Sequence, residues 1–187
     1  MIIYLEGPDG SGKSTLIEAL NDMLVGSGYE VDACANRFIP THPLAKYRPD
    51  GASRIDETTM YRALKKMAKS DKIYIVDRGP ISDIIYRTFD DFEPVTTLSR
   101  FISELQKLQH TKIIYCHNNK AEEMMLKRGD DNPIAIAKHK EISKLYELVF
   151  EQIESQCPCK VVEYDFTKRS ALNEMIGYIN CLVDFTL

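Results

Sequence analysis

The segment from Gly7 to Thr15 restricts what this chain can fold into more than any other stretch of its sequence. It reads G-P-D-G-S-G-K-S-T and fits the pattern G-x-x-x-x-G-K-[ST], in which backbone amides and a lysine hold phosphate groups. The apolar run from Ile2 to Leu5 precedes it, and a segment with the apolar spacing of a helix, Leu16 to Leu20, follows it. Strand, glycine-rich turn and helix are the context that the pattern requires, so we interpret the segment as a phosphate-binding loop, or P-loop.

Each residue type in the P-loop suits the binding of a nucleoside triphosphate. Glycine lets the backbone adopt conformations closed to other residues, so that successive N–H groups point into one concavity at a helix N-terminus. Lys13 adds a full positive charge toward the outer phosphates, and the hydroxyl of Ser14 is placed to bind Mg²⁺. We expect ATP to contact the whole loop: Gly7, Pro8, Asp9, Gly10, Ser11, Gly12, Lys13, Ser14 and Thr15.

Strand-like and helical segments alternate along the rest of the chain. We expect strands near 1–6, 29–35, 72–76, 111–117 and 161–164, with helices between them, including one from about 95 to 109. A last helix follows Ser170 as its N-cap, and we expect Cys181 to pack into the core with it. The alternation predicts an α/β, three-layer P-loop NTPase fold with a five-stranded parallel sheet and helices on both faces. A length of 187 residues suits a single domain, residues 1–187.

Composition and charge narrow the classes of partner. With 44% apolar residues, 28% charged residues and a net charge of −4, the chain has the composition of a soluble globular protein. Its acidity disfavours a nucleic-acid polymer as partner. No apolar run is long enough to span a membrane, and no signal peptide fits the N-terminus. We therefore expect small-molecule nucleotides as partners and a cytoplasmic location, and the sequence leaves a homodimer open.

The five cysteines are scattered along the chain, which suits free thiols in a reducing compartment. Three of them lie in apolar surroundings, where buried thiols are common. Cys157-Pro158-Cys159 is a close pair, but no second pair of Cys or His has the spacing of a metal site. We therefore expect no metal at these cysteines.

Three polar segments follow predicted elements at the edge of the sheet where open α/β folds bind ligands. Arg37 lies in a proline-containing loop after the second strand, and Asp77 and Arg78 end the buried third strand. We interpret Arg37 and Arg78 as ligands of a phosphorylated second substrate. Arg128 lies between two helices in a segment, at about 127–136, that we interpret as a lid over the transferred group. The alternatives are a solvated loop arginine, a structural ion pair and a basic helix end, respectively.

These residues resemble the motifs of the thymidylate kinase family. The segment from Glu6 to Thr15 looks like the P-loop of that family, which also carries an acidic residue at the position of Asp9. The similarities extend to about residue 150 in the order that the family has. The other similar segments are Asp77-Arg78 with Ser82 and Tyr86, the arginine loop Arg37 to Pro40, and the lid Lys127 to Asp130, before a helix that bears Tyr146.

The resemblance implies a transfer of the γ-phosphoryl group of ATP, with Mg²⁺ as cofactor, to a deoxynucleoside monophosphate. The expected acceptor is dTMP, and small phage-encoded members of the family look most like this chain, which would then act in the host cytoplasm. By resemblance, Lys13, Asp9, Arg78 and Arg128 form the catalytic set. The other implied roles are the sugar hydroxyl for Asp9, the acceptor phosphate for Arg37 and Arg78, the base and sugar for Phe38, Arg62 and Tyr86, and Mg²⁺ for Ser14 and, through water, Asp77. Ser82 is implied as a further substrate-binding residue.

The sequence departs from the family at two positions and leaves two other functions open. Gly79 stands where the family usually has tyrosine, and the only aromatic residue near Thr58, where thymine would be stacked, is Tyr61. A deoxynucleoside kinase would instead need an acid near the 5′-hydroxyl, for which Asp77 or Glu6 is available. A nucleotide-dependent switch or ATPase would need a guanine motif such as N-K-x-D, and the segment 118–121 lacks its aspartate.

Overall fold

The centre of the molecule is a parallel sheet of five strands within the residues that the structure, a computed structural model, describes: 1–35, 57–89, 94–120, 123, 126–127 and 133–185. Its strand order is β2-β3-β1-β4-β5, and every neighbouring pair is parallel. The fold class that the alternation predicts is therefore confirmed. The strands are β1 (Ile2–Glu6), β2 (Val31–Ala35), β3 (Ile73–Asp77), β4 (Thr111–His117) and β5 (Val161–Asp165).

Helices cover both faces of the sheet and create two separate apolar cores. The helices are α1 (Lys13–Gly26), α2 (Glu57–Ala68), α3 (Pro80–Phe89), α4 (Leu98–Leu105), α5 (Pro133–Gln156) and α6 (Ala171–Asp184), with a short 3₁₀ turn at Pro158–Lys160. Because strand side chains alternate between faces, Ile3 and Leu5 of β1 pack against α1 and α6, whereas Ile2 and Tyr4 pack against α2 to α5. Among the described residues, no helix has the length and apolar character needed to cross a membrane.

Some element ends and burial assignments differ from the sequence predictions. Helix α4 begins after Thr97, whose side-chain oxygen accepts a hydrogen bond from the Arg100 amide, so it is shorter than the predicted 95–109. Ser170 does precede α6, but its helical backbone (φ −89°, ψ −14°) keeps its side chain from capping the helix. The prediction for Cys181 is wrong, because this residue is exposed. It lies two residues from both Ile179 and Val183, which face the core, and two residues turn a helix by more than half a circle.

The strand order brings the P-loop beside the end of β3. β1 and β3 are neighbours, and their register pairs Leu5 with Asp77. The loop that leaves β1 and the turn that leaves β3 therefore emerge side by side at the carboxyl edge of the sheet. This adjacency is what positions the candidate site.

Candidate active site

The P-loop holds a conformation that only glycine permits at two of its positions. Gly7 has φ 149°, and a Cβ there would lie 1.9 Å from the carbonyl oxygen of Cys116 on β4. Gly12 has φ 79°, and a Cβ there would lie 2.2 Å from the ring of Phe166, which follows β5. The loop is thus pressed against the ends of β4 and β5, and side chains larger than hydrogen would displace it.

Lys13 lies inside the loop with its ammonium group surrounded by loop oxygens. Nζ donates hydrogen bonds to the carbonyl oxygens of Gly7 (2.9 Å) and Pro8 (2.7 Å) and to Oγ of Ser11 (3.2 Å). Burial, and next the positive charge of Arg78, lowers the pKa of Lys13 from 10.5 to about 8. A buried ammonium group at the centre of a glycine-rich loop is suited to neutralising phosphate charge.

A cleft of about 430 Å³ opens above the P-loop and contains the residues that the motif analysis singled out at the end of β3. The ring of Phe166, which lies against Gly12, also lines the cleft. Its lining therefore joins backbone amides, two carboxylates and two cationic side chains in one space, which is the combination that a nucleotide and its metal require. The lining residues are Asp9, Gly10, Ser11, Gly12, Lys13, Ser14, Thr15, Asp77, Arg78 and Phe166.

Arg78 reaches from the end of β3 across to the P-loop. Its Nη1 donates to the carbonyl oxygen of Gly7 (3.1 Å) and to the hydroxyls of Tyr86 (3.2 Å) and Tyr146 (3.3 Å), and its Nη2 forms an ion pair with Asp9. The side chain is only 12% exposed. Its backbone is left-handed (φ 61°), and no other non-glycine residue in the described ranges has a positive φ. Such a backbone costs roughly 1–2 kcal/mol, so other contacts must stabilise it.

Asp9 joins the P-loop to two other elements. Its carboxylate contacts Arg78 and accepts a hydrogen bond from the hydroxyl of Tyr86 on α3 (3.4 Å), and 77% of its side chain is exposed. Its carbonyl oxygen lies 2.8 Å from Nε2 of His139 on α5. A carbonyl oxygen can only accept, so Nε2 carries the proton, and Nδ1 is left to face the Ser143 hydroxyl at 3.4 Å. Helix α5 is therefore tied to the backbone of the loop.

Glu6 is a buried carboxylate behind this site, and the sequence analysis gave it no role beyond that of an alternative acid. It is 0% exposed. Oε1 accepts a hydrogen bond from the Gly79 amide (2.7 Å), and Oε2 accepts from the amide (3.2 Å) and the hydroxyl of Ser82. The Ser82 hydroxyl also lies 2.6 Å from the hydroxyl of Tyr146. The sequence does contain a signal for Glu6: it is a charged residue at the end of an otherwise apolar, buried strand.

We predict that Glu6 makes the folded protein less stable as the pH rises. Burial, opposed by its hydrogen bonds and by Arg78, raises the pKa of Glu6 from 4.5 to about 7, and Tyr146 and Cys116 are further neighbours. Between these values the folded state retains a proton that the unfolded state releases, so stability falls with increasing pH. The free energy of unfolding of the wild type, relative to Glu6→Gln, should drop by roughly 2–3 kcal/mol from pH 4.5 to pH 8 in urea titrations. A difference that does not vary with pH would contradict this.

The residues expected to serve Mg²⁺ fit a hard, oxygen-binding cation. Oδ1 of Asp77 is buried and has no hydrogen-bond partner among the residues that the structure describes. Asp77 and Ser14 both line the cleft, and the Ser14 side chain is exposed to it. A carboxylate oxygen, a hydroxyl and water are the ligands that Mg²⁺ takes in phosphoryl-transfer sites.

The structure brings together only some of the predicted site residues. Residues 9–15 of the P-loop share the cleft with Asp77 and Arg78, and Gly7 and Pro8 do not line it. Tyr86 touches both Asp9 and Arg78. Ser82 is fully buried behind Arg78, where it contacts Glu6. Arg62 is exposed on α2 and does not line this cleft. Arg37, Phe38 and Arg128 lie outside the described residues, as do residues 128–132 of the predicted lid.

The aromatic residue next to Arg62 is part of the core. Tyr61 is 5% exposed, and its hydroxyl lies 2.8 Å from Oγ1 of Thr96, which in turn donates to Glu57. Burial raises the pKa of Tyr61 to about 12. Its ring therefore packs with the helices of this face, and it does not line the P-loop cleft.

Gly79 is required by a neighbour on β1. A Cβ at this position would lie 2.7 and 2.8 Å from two ring carbons of Tyr4 and 3.0 Å from Oε1 of Glu6. Tyr4 is fully buried and packs edge-on against Phe101. The tyrosine that the family usually has after Asp-Arg cannot be accommodated here, because the ring of Tyr4 already fills that space.

We predict that Gly79→Ala destabilises the protein by about 1–3 kcal/mol through this overlap. In the double variant with Tyr4→Leu, the loss in free energy of unfolding should be smaller than the sum of the two single losses by at least about 1 kcal/mol. Denaturant unfolding measures these free energies. Gly177→Ala is the matched control: a Cβ there meets no atom within 4 Å, and alanine favours the helix by up to about 1 kcal/mol. Additive effects of the Gly79 and Tyr4 changes would contradict the prediction.

Two sequence comparisons relate this chain to known proteins. The family model described as "AAA domain" matches residues 2–157. A probable thymidylate kinase from Thermoplasma acidophilum is 30% identical over 146 residues, which are 71% of this chain and 74% of that protein. The residues matched by the family model include the P-loop and the end of β3.

Two solved structures share the fold. The YorR protein from Bacillus subtilis, solved in complex with phosphorylated GDP, superposes with a TM-score of 0.61 at 21% identity and covers 99% of this chain and 96% of its own. Thymidylate kinase from Ehrlichia chaffeensis superposes with a TM-score of 0.55 at 16% identity and covers 98% of each chain. At these identities the superpositions establish the architecture.

Proposed function

This chain belongs to the thymidylate kinase family and is a phosphotransferase with a P-loop fold, and we propose that it transfers the γ-phosphoryl group of ATP to a deoxynucleoside monophosphate, with dTMP as the preferred acceptor. The acceptor follows from the name of the Thermoplasma relative and from the motifs of the P-loop and the β3 end. The sites proposed are those predicted from the sequence, with the P-loop for ATP and Arg78, Asp9 and Tyr86 for the acceptor.

One observation carries this proposal: the Arg78 guanidinium lies directly against the P-loop, on Gly7 and Asp9. An acceptor that already carries a phosphate needs a cation of its own near the donor phosphates. Arg78 supplies a planar, permanently charged group that can bind a phosphate through two N–H groups at once. Lys13, which follows Gly7 by 6 residues in the same loop, supplies a second cation. Two anions can thus be held end to end in one cleft.

The chain's own residues contribute positioning and charge to the reaction. An oxygen of the acceptor phosphate attacks the γ-phosphorus while the bond from that phosphorus to the β,γ-bridging oxygen breaks, so ADP leaves without a covalent enzyme intermediate. The loop amides and Lys13 neutralise charge on the donor, and Arg78 orients the acceptor. Asp77 and Ser14 would hold Mg²⁺, which supplies further charge neutralisation when bound. In this scheme Asp9 leaves its ion pair with Arg78 and accepts a hydrogen bond from the sugar.

The alternative of a deoxynucleoside kinase has less support from the site. That reaction needs a base within reach of the 5′-hydroxyl. Glu6 is enclosed by Gly79 and Ser82 and cannot reach a substrate, and Asp77 is the acid of the two that lines the cleft. In that reaction Arg78 would also have no phosphate to bind, because a nucleoside carries none.

The experiment that tests the proposal is a panel of acceptors with Mg-ATP and mass analysis of the products. The panel contains the four deoxynucleosides, their monophosphates and a sample without acceptor. We expect a diphosphate product from a monophosphate, with dTMP converted fastest. Monophosphates formed from nucleosides would instead identify a nucleoside kinase, and ADP release without acceptor would identify an ATPase.

A further inference from the structure

We propose that Glu6 is a positioning residue: its buried carboxylate fixes the turn that carries Arg78, and so aligns the acceptor phosphate with the P-loop. The inference rests on the proposed function for its kinetic consequence, because Arg78 is assigned there to the acceptor. Its structural part stands on the hydrogen bonds of Glu6 alone.

Glu6 caps a helix from a distant part of the sequence. Helix α3 begins at Pro80, so the amides of Gly79 and Ser82 belong to the group at a helix N-terminus that has no partner within the helix. Glu6 accepts hydrogen bonds from both amides, at 2.7 and 3.2 Å, although 73 and 76 residues separate it from them in sequence. A carboxylate at this position also interacts favourably with the positive end of the helix dipole.

The cap lies on the residue that follows Arg78, and this explains how the unfavourable backbone of Arg78 is maintained. The Arg78 amide donates to the carbonyl oxygen of Leu5 (2.9 Å), and the next amide, that of Gly79, donates to Glu6. Two consecutive amides on either side of the left-handed residue are therefore bound to consecutive residues of β1. With both held, φ of Arg78 is fixed at 61° and its side chain is directed to the P-loop.

The same carboxylate also orders the wall behind the guanidinium group. The Ser82 hydroxyl contacts Glu6 and the Tyr146 hydroxyl, and Tyr146 lies 3.3 Å from Nη1 of Arg78. Tyr146 is held in a ring stack with Tyr115 and Phe150. Glu6 is thus connected to Arg78 both through the backbone and through two hydroxyl groups. Glutamine has nearly the same shape, but its amide group presents hydrogens where Glu6 must accept them, so it cannot serve both amides and the hydroxyl.

The test compares Glu6→Gln with the wild type at pH 8. We expect the KM for the monophosphate acceptor to rise about tenfold, while the KM for ATP changes less than about twofold. Glu104→Gln is the matched control, since Glu104 of α4 is nearly as buried (3% exposed) but pairs with Lys65 of α2 and with Lys107, outside the cleft. This control should leave both KM values unchanged. If Glu6→Gln does not fold, Ser82→Ala takes its place. It removes one of the three donors to Glu6 and should give a smaller rise in the acceptor KM.

A second measurement separates this inference from the proposed function. Nuclear magnetic resonance can follow solvent exchange of the Arg78 guanidinium hydrogens without any substrate, and Glu6→Gln should accelerate that exchange at least about tenfold relative to Glu104→Gln. If the wild type phosphorylates no monophosphate, the proposed function fails, and this measurement still decides the role of Glu6. Unchanged exchange, or equal rises of both KM values, would overturn the inference.

Discussion

Replacing Lys13 by alanine is expected to reduce kcat by about a thousandfold while the fold remains intact. The ammonium group is buried at the centre of the P-loop and is the cation nearest to the loop carbonyl oxygens of Gly7 and Pro8. A single preorganised donor that stabilises developing charge contributes about 10²–10³ in kcat, and a full charge in a buried site lies at the upper end of that range. The measurement is the steady-state rate with saturating Mg-ATP and acceptor, together with circular dichroism and a thermal melt.

A lysine outside the cleft provides the control for this change. Lys66 is exposed on α2, and Lys66→Ala should leave kcat within about twofold of the wild type. Because the hydrogen bonds of Lys13 within the described part of the chain are to oxygens of its own loop, its removal should cost far less in stability than in rate. A Lys13→Ala protein that is folded and retains more than a tenth of the wild-type kcat would show that phosphoryl transfer does not occur at this loop.

Replacing Arg78 by alanine is expected to weaken the acceptor much more than the donor. Its guanidinium group is the cation that faces the P-loop from β3, and a hydrogen-bonded charge pair of this kind contributes about 1.5–3 kcal/mol. The KM for the monophosphate should therefore rise roughly 10- to 100-fold, while the KM for ATP should change by less than about threefold. Initial rates over a grid of both substrate concentrations give the two values separately.

Two further variants define what Arg78 contributes. Arg78→Lys keeps the charge but loses the planar pair of donors, so it should restore only part of the affinity for the acceptor. Arg100→Ala removes an arginine whose side chain is 52% exposed and pairs with Glu104 on α4, and it should change neither KM. If Arg78→Ala left the acceptor KM and kcat as in the wild type, the acceptor site would lie elsewhere in the molecule.

Those parts of the fold and site that depend on local sequence could be predicted. The P-loop is a contiguous motif between a strand and a helix, and Lys13 and Arg78 do line one cleft because the apolar runs before them form neighbouring parallel strands. The alternation of periodicities was enough to predict the three layers. Element ends were less predictable, since the start of α4 depends on which of two adjacent threonines caps it, Thr96 or Thr97.

Contacts between distant residues could not be predicted in the same way. Glu6 looks like the polar end of a strand, and nothing in its neighbourhood indicates that its partners are Gly79 and Ser82. The exposure of Cys181 was predictable in principle from the helical positions of Ile179 and Val183, and it was missed because a cysteine among apolar residues suggests burial. The absence of the family's tyrosine at position 79 makes sense only once Tyr4 is seen to fill its place.

The left-handed backbone of Arg78 is tolerated only because the side chain of the same residue is bound at the site. An arginine in this conformation costs the folded state about 1–2 kcal/mol that glycine would not. Arg78→Gly would remove that cost, but it would also remove the hydrogen bonds to Gly7, Tyr86 and Tyr146, so it should not make the protein more heat-resistant. The turn and the site therefore support each other, and a change that releases the guanidinium group should also loosen the turn that carries it.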